Sequence, residues 1–295
     1  MLQAFKNWLI WRGLLVASAV GRRLPLPAAR RAGKAVGRLA YRVVAKERRR
    51  ALQHLALALP DLSPAEHQRI AREMFQHLGQ SLFEIAWLPN LDAMNLEVHT
   101  RFEGLEGMRM AAESGRGVIL FTGHCGNWEW MGAAMALAGL PTKTVARDIY
   151  DPRLNEFIVG FRRHFGVESI GRGSTTSARD ILQTLRKGYI LAMLIDQNIR
   201  AENVIVPFFG IPAPTPVGAA RLAVRSGAWA VAGFIERGSD GIQTVRFEEP
   251  IPTSRDTDPV ELTAAMTAAI ERQVRRAPEQ WVWMHRRWKK TGARG

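Results

Sequence analysis

Three largely apolar runs, at 117–122, 190–195 and 229–235, limit what this chain can fold into more than any other feature. Each is about the length of a strand and too short for a buried helix. Helical patterns lie between them, near 130–139, 153–165, 175–187 and 216–226, and residues 142–146 add a further strand. Strands alternating with helices predict an α/β sheet with helices packed on it. A last helix is expected over 259–276. Residues 1–90 read as helical throughout. Ser63-Pro64-Ala65-Glu66 reads as a helix start, with Ser63 as N-cap, Pro64 in the first position and Glu66 completing a capping box. Ile70, Met74, Leu78, Leu82 and Ile85 then recur at helical spacing. The expected organisation is a helical N-terminal extension over 1–95 and an α/β core over 96–295, joined as one continuous domain.

The strand expected at 117–122 runs into Gly123-His124-Cys125-Gly126-Asn127-Trp128-Glu129, and a helix is expected to follow. A strand-to-helix turn is where α/β proteins expose reactive side chains. A neutral histidine there takes a proton from a hydroxyl near pH 7, and a carboxylate steadies its charged form. His124 and Glu129 are five residues apart. On a continuous helix that gap turns the chain about 500°, leaving the side chains roughly 140° apart. The pair meets only if His124 lies in the turn and Glu129 in the first helical turn. A tight glycine turn around an ordinary histidine is the plain alternative.

Of the net charge of +14, residues 1–50 carry +12. Apolar and aromatic residues, Leu2, Phe5, Trp8, Leu9, Ile10 and Trp11 among them, interleave with these cations. That mixture suits a lipid interface better than a phosphate backbone. The clean apolar run between Arg12 and Arg22 is too short for a spanning helix, which needs about 20 residues. A cytoplasm-facing membrane anchor is therefore expected in preference to a cleaved signal peptide. The single cysteine, Cys125, cannot form an internal disulfide.

Four further segments carry chemistry-bearing residues. Asp196 and Gln197 end the run 190–195, at another strand edge where binding residues gather. An N-capping aspartate is the plain alternative. Phe208 and Phe209 open a proline-rich stretch, Pro207 to Pro216, expected as a stiff loop walling an acyl groove. Arg221 and Arg225 follow on one helix face and suit an anionic group. Among the arginines of 147–172, Arg147 follows a strand and is the preferred anion ligand. Arg162 and Arg163 read equally well as a solvated helix face. The C-terminal Trp281, Trp283 and Trp288, set among basic residues, fit a membrane interface or a stacking surface for single strands. There is no phosphate loop, dinucleotide fingerprint or zinc spacing.

Taken together these pieces resemble the bacterial lipid A biosynthesis acyltransferases, the lauroyl and myristoyl transferases, from about residue 20 to Lys290. The motifs that carry the likeness are Gly123–Glu129, Asp196-Gln197, Pro207-Phe208-Phe209-Gly210 with Ala213-Pro214-Thr215, and Ala277–Lys289. The resemblance implies a mixed sheet flanked by helices, like that of glycerolipid acyltransferases, with a membrane-associating N-terminal extension. It implies an enzyme at the cytoplasmic face of the inner membrane, moving an acyl chain from acyl carrier protein to a hydroxyl of a phosphorylated glucosamine lipid. His124 and Glu129 would be the catalytic pair; Arg147, Asp196, Gln197, Phe208, Phe209 and Arg221 would bind substrate. No metal, cofactor or nucleic acid is expected. Another glycolipid or phospholipid acceptor, or a non-enzymatic basic membrane or nucleic-acid binding protein, are the competing readings.

Overall fold

The computed structural model describes residues 12, 19, 21–146, 152–171 and 177–288. The segment expected as an anchor, 1–22, falls almost entirely outside that range, and so do Arg147 and the basic end of the chain after Trp288. Among the described residues no helix is long and apolar enough to cross a membrane.

Among the described residues, three long helices precede the sheet: α1 (Leu26–Val43), α2 (Ala45–Ala58) and α3 (Pro64–Trp87). Ser63 caps α3 as its sequence predicts, with Glu66 closing the reciprocal box. The contact between α1 and α3 is set by glycines. A Cβ on Gly33 would lie 2.5 Å from the Gly79 carbonyl oxygen, and one on Gly37 2.2 Å from that of Phe75. Only hydrogen fits there, so the two backbones touch.

The buried face of α3 is not the stripe that its aliphatic residues suggest. Ile70 and Met74 are buried, but Leu82 is exposed and Glu84 is fully buried. Glu84 is tolerated because Arg237 donates to both its oxygens, at 2.7 and 2.6 Å, and Arg30 donates at 2.6 Å. Asn127 and Gln243 donate to it as well, at 3.0 and 3.1 Å. Burial opposes its charge, yet these cations hold its carboxyl below the usual glutamate range.

A short helix, α4 (Leu96–His99), leads into β1 (Thr100–Glu103) and α5 (Leu105–Glu113). The central units are β2 (Val118–Thr122), α6 (Trp128–Leu137), β3 (Thr142–Ala146), α7 (Pro152–His164), β4 (Glu168–Gly171), α8 (Ser177–Arg186) and β5 (Ile190–Leu194). Then come the hairpin β6 (Asn203–Phe208) and β7 (Ile211–Pro216), α9 (Gly218–Ser226), β8 (Trp229–Arg237), β9 (Gln243–Phe247) and α10 (Pro259–Arg276). The main sheet has seven strands in the order β1-β9-β8-β2-β5-β3-β4. It is mixed: β9 runs antiparallel to β8, and the other pairings are parallel.

The apolar runs have no polar alternation because both sheet faces are covered. Ile119 and Phe121 of β2 enter one hydrophobic cluster, Val118 and Leu120 the other. The first cluster also takes Leu55, Ile70 and Met74 from α2 and α3, so the helical segment shares a core with the sheet.

The proline-rich stretch differs from the expected loop. Its prolines sit in a two-stranded hairpin, which tolerates them because it has free edges. Phe209 and Gly210 turn the hairpin with φ of 57° and 71°, the left-handed pair that a tight hairpin requires.

Candidate active site

The site lies where β2 and β5 end. These parallel neighbours pair residue by residue from Val118↔Ile190 to Thr122↔Leu194. Carried two residues past the strands, that register sets His124 opposite Asp196. The His124 backbone N–H donates to Asp196 Oδ2 at 2.8 Å, and its ring Nδ1 donates to Oδ1 at 2.7 Å. The Trp281 indole N–H donates to Oδ2 at 2.8 Å. Burial opposes ionisation of Asp196, but the charge of His124 and these three hydrogen bonds outweigh it and hold the carboxyl below the ordinary aspartate range. An ionised Asp196 only accepts. His124 therefore carries its neutral-state proton on Nδ1 and presents Nε2 as a base.

The turn that carries His124 is braced on every side. Gly126 has φ of 58°, and a Cβ there would come within 2.2 Å of the Ile235 carbonyl oxygen. Its N–H donates to the Gln280 carbonyl at 2.8 Å. Asn127 caps α6 by accepting from the Trp130 N–H at 3.2 Å, while its amide donates to the buried Glu84. Gly123 leaves room for Asp196, whose Oδ2 would lie 3.2 Å from a Cβ at that position. Trp128 stands edge-on to the His124 ring, with centroids 5.0 Å apart.

The carboxylate that orients His124 is thus Asp196, not Glu129. Glu129 does lie in the first turn of α6, but it points across to α7, where Arg162 donates to its two oxygens at 2.9 and 2.5 Å. Both side chains are largely buried. This pair stands among the walls of a narrow apolar cavity that is partly open to solvent. Leu120, Met131, Met135, Phe161, Phe165 and Ala192 line it, and Thr122, Trp128 and Leu194 bring it to the strand ends that hold His124 and Asp196.

Gln197 reaches the same place. Its amide nitrogen lies 2.9 Å from His124 Nε2 and 2.7 Å from Nε2 of His285, a second histidine whose ring centroid is 5.0 Å from that of His124. Burial and the neighbouring His124 push the His285 pKa down to about 4, so it is neutral at pH 7.

Other expected site residues go elsewhere. Phe208 and Phe209 are buried against Trp281, Trp283 and Trp288 and wall no part of the cavity beside His124. The same packing takes Trp281 and Trp283 out of contention as a membrane or nucleic-acid surface. Arg221 pairs with Glu202 on the surface. Arg147 lies outside the described residues. Cys125 is buried, and burial raises its thiol pKa well above the usual value, so it is no nucleophile at neutral pH.

Arg162, His285 and Trp281 are the participants that sequence reasoning did not place at the site. Arg162 was visible only as one of several cations on a helix. His285 lies inside the Ala277–Lys289 motif, where nothing sets it apart from its neighbours as a site residue. Among the described residues no group of acidic, histidine and cysteine side chains could hold a metal ion.

A strand-end histidine locked to a buried aspartate beside an apolar cavity is an arrangement suited to acyl transfer, and residues 1–290 match the family described as bacterial lipid A biosynthesis acyltransferase. The chain belongs to this family. It is accordingly an acyltransferase of the lipid A biosynthesis type. It is 28% identical to the lipid A biosynthesis lauroyltransferase of Escherichia coli (strain K12), over 96% of this chain and 92% of that one. It is 29% identical to the palmitoleoyltransferase of the same organism, over 96% and 92%. A phosphatidylinositol mannoside acyltransferase of Mycobacterium tuberculosis (strain CDC 1551 / Oshkosh) is 27% identical over 51% of this chain and 49% of its own.

Proposed function

We propose that this acyltransferase moves a fatty acyl chain from an acyl-carrier-protein thioester to a hydroxyl of a phosphorylated glucosamine lipid, the lipid A precursor, with His124 as general base. The observation that carries this reading is the Asp196-anchored His124 at the end of the apolar cavity. The cavity holds the hydrocarbon, and the thioester carbon then comes to the strand ends, within reach of His124 and the acceptor. His124 Nε2 takes the hydroxyl proton as the oxygen attacks, and Asp196 stabilises the imidazolium. Collapse of the tetrahedral intermediate expels the carrier thiolate, which takes the proton back from His124. Glu129 contributes by holding Arg162 at the cavity wall, next to where charge develops. The names of the full-length relatives support the lipid A acceptor. The half-length likeness to a phosphatidylinositol mannoside acyltransferase supports a second reading, a different glycolipid acceptor.

A place at the cytoplasmic face of the inner membrane fits the surface of α1. Val36, Leu39 and Val43 are exposed on it among exposed Arg31, Lys34, Arg38 and Arg42. An apolar stripe set in cations is what an anionic lipid surface binds.

The test is acyl transfer by purified protein from acyl carrier protein to lipid A precursor. His124→Ala is expected to lose transfer while melting as the native protein does. Retention of native turnover by that variant would remove His124 as the base.

A further inference from the structure

We propose that the side-chain amide of Gln197 is the donor that meets the oxyanion of the tetrahedral intermediate, and that His285 is the positioning residue that aims it. This deepens the acyl-transfer reading above and rests on it.

Acyl transfer needs an N–H or O–H waiting where the thioester oxygen becomes negative. Three backbone N–H groups in the His124 turn are already engaged. The backbone N–H of His124 is held by Asp196, that of Cys125 by the Gly123 carbonyl at 2.8 Å, and that of Gly126 by the Gln280 carbonyl. Arg162 spends two of its five N–H groups on Glu129, which holds the guanidinium against that carboxylate. Gln197 is placed differently. Its amide nitrogen carries two hydrogens, and the 2.7 Å bond to His285 Nε2 uses one. The other faces His124.

The geometry at His124 decides what that hydrogen can do. The amide nitrogen is 2.9 Å from Nε2 and 3.2 Å from Nδ1. Near-equal distances to both ring nitrogens put it over the face of the ring and off the line of the Nε2 lone pair. The lone pair stays open to an acceptor hydroxyl, and the amide lies immediately alongside. When the hydroxyl oxygen bonds to the thioester carbon, its proton passes to Nε2 and the carbonyl electron pair moves onto oxygen. That oxygen lies next to the attacking one, within reach of the Gln197 N–H. As the intermediate collapses, the C–S bond breaks and the thiolate leaves with the proton from Nε2.

His285 makes the arrangement directional. Neutral and with its proton on Nδ1, it offers the Nε2 lone pair to Gln197, and it adds no positive charge beside His124 that would compete with proton uptake. Without it the amide loses the contact that holds its orientation.

The experiment is steady-state kinetics of the full chain with acyl carrier protein as donor and lipid A precursor as acceptor. Gln197→Met keeps the length and removes the donor. It is expected to lower kcat by about 10²- to 10³-fold, as loss of one oxyanion donor does, and to leave both KM values near native. Gln197→Glu, which offers only oxygens, is expected to lose at least as much. His285→Leu is expected to lower kcat by a smaller factor. His285→Gln, whose carbonyl oxygen can reach the place of Nε2, is expected to recover part of that loss. If Gln197→Met and Gln197→Glu keep native kcat while His124→Ala is inactive, the donor assignment is overturned and the base reading stands. If the loss falls wholly in KM, Gln197 is a binding residue and the assignment is equally overturned. If His285→Leu and His285→Gln behave alike, His285 does not aim the amide. Should His124→Ala itself turn over normally, the acyl-transfer reading fails first.

Discussion

Where the ring proton of His124 sits at rest is settled by one buried carboxylate. Asp196 accepts the backbone N–H, the ring Nδ1–H and the Trp281 indole N–H. In Asp196→Asn one oxygen becomes NH₂. The remaining oxygen serves either the ring or the other two donors. With NH₂ turned to the ring, His124 must carry its proton on Nε2, the nitrogen that should be empty. Asp196→Asn is therefore expected to lower kcat by on the order of 10³-fold or more while keeping substrate KM values, as wrong-tautomer variants do. Rate against substrate concentration checks this; a loss below tenfold would mean that Asp196 does not set the tautomer. The spacing of His124 and Glu129 suggested a different partner because sequence proximity was the only available clue. The neighbour that matters is 72 positions away and is delivered by strand register.

At the scale of elements, α6 does two jobs. Its N-terminus braces the turn of His124, and its inner face forms a wall of the apolar cavity. Gly132 lies on that wall, and a Cβ built on it meets nothing within 4 Å. Gly132→Met would fill the cavity without displacing backbone and would favour the helix, since glycine costs about 1 kcal/mol relative to good helix formers. The expected outcome is a protein at least as stable as the native one that prefers a shorter acyl donor. Competition between acyl carrier proteins loaded with chains of different length reads it directly. An unchanged preference would place the hydrocarbon elsewhere. The helix existed in the sequence as a run of small residues after a glycine turn; that it borders a cavity follows only from how α7 packs across from it. The hairpin β6–β7 gives the opposite lesson. Its phenylalanines look like a groove wall when read in line, and the fold instead turns them onto the tryptophans of the C-terminal segment.

For the molecule as a whole, half-buried histidines make stability depend on pH. Burial pushes His77 down to about 3, assisted by the Arg237 guanidinium that donates to its Nδ1 at 2.7 Å, and His285 down to about 4. Burial lowers His54 as well. The unfolded chain binds these protons near the ordinary histidine value of about 6.5, while the folded chain refuses them. The unfolded state thus holds more protons below that pH, and stability falls as pH drops from about 6.5 toward 3. Thermal melting between pH 7.5 and 4.5 is expected to show a falling Tm, and His77→Gln to flatten the slope. A constant Tm over that range would mean that the fold does not exclude protons from these groups. Membrane attachment belongs to this scale too. Flotation with anionic liposomes is expected to weaken at raised salt, because α1 presents cations around an apolar stripe. Salt-independent flotation would assign attachment to apolar insertion alone.

The amino-acid sequence by itself determined the elements. Apolar runs, turn glycines and caps are short-range signals. They place β2, β3, β5, β8 and α10 within a residue or two, and they put His124 and Asp196 at strand ends. Tertiary structure decided which of these residues meet. Asp196 reaches His124 because β2 and β5 are neighbours in matched register, and no local pattern records strand order. Glu84 is buried because Arg237 and Arg30 arrive from other elements to neutralise it. His285 stands beside His124 because the C-terminal tryptophans are driven into the core by their apolar area. Hydrophobic periodicity states how far each residue is from water, not which residue it will face, and the chemistry of this site depends on the second.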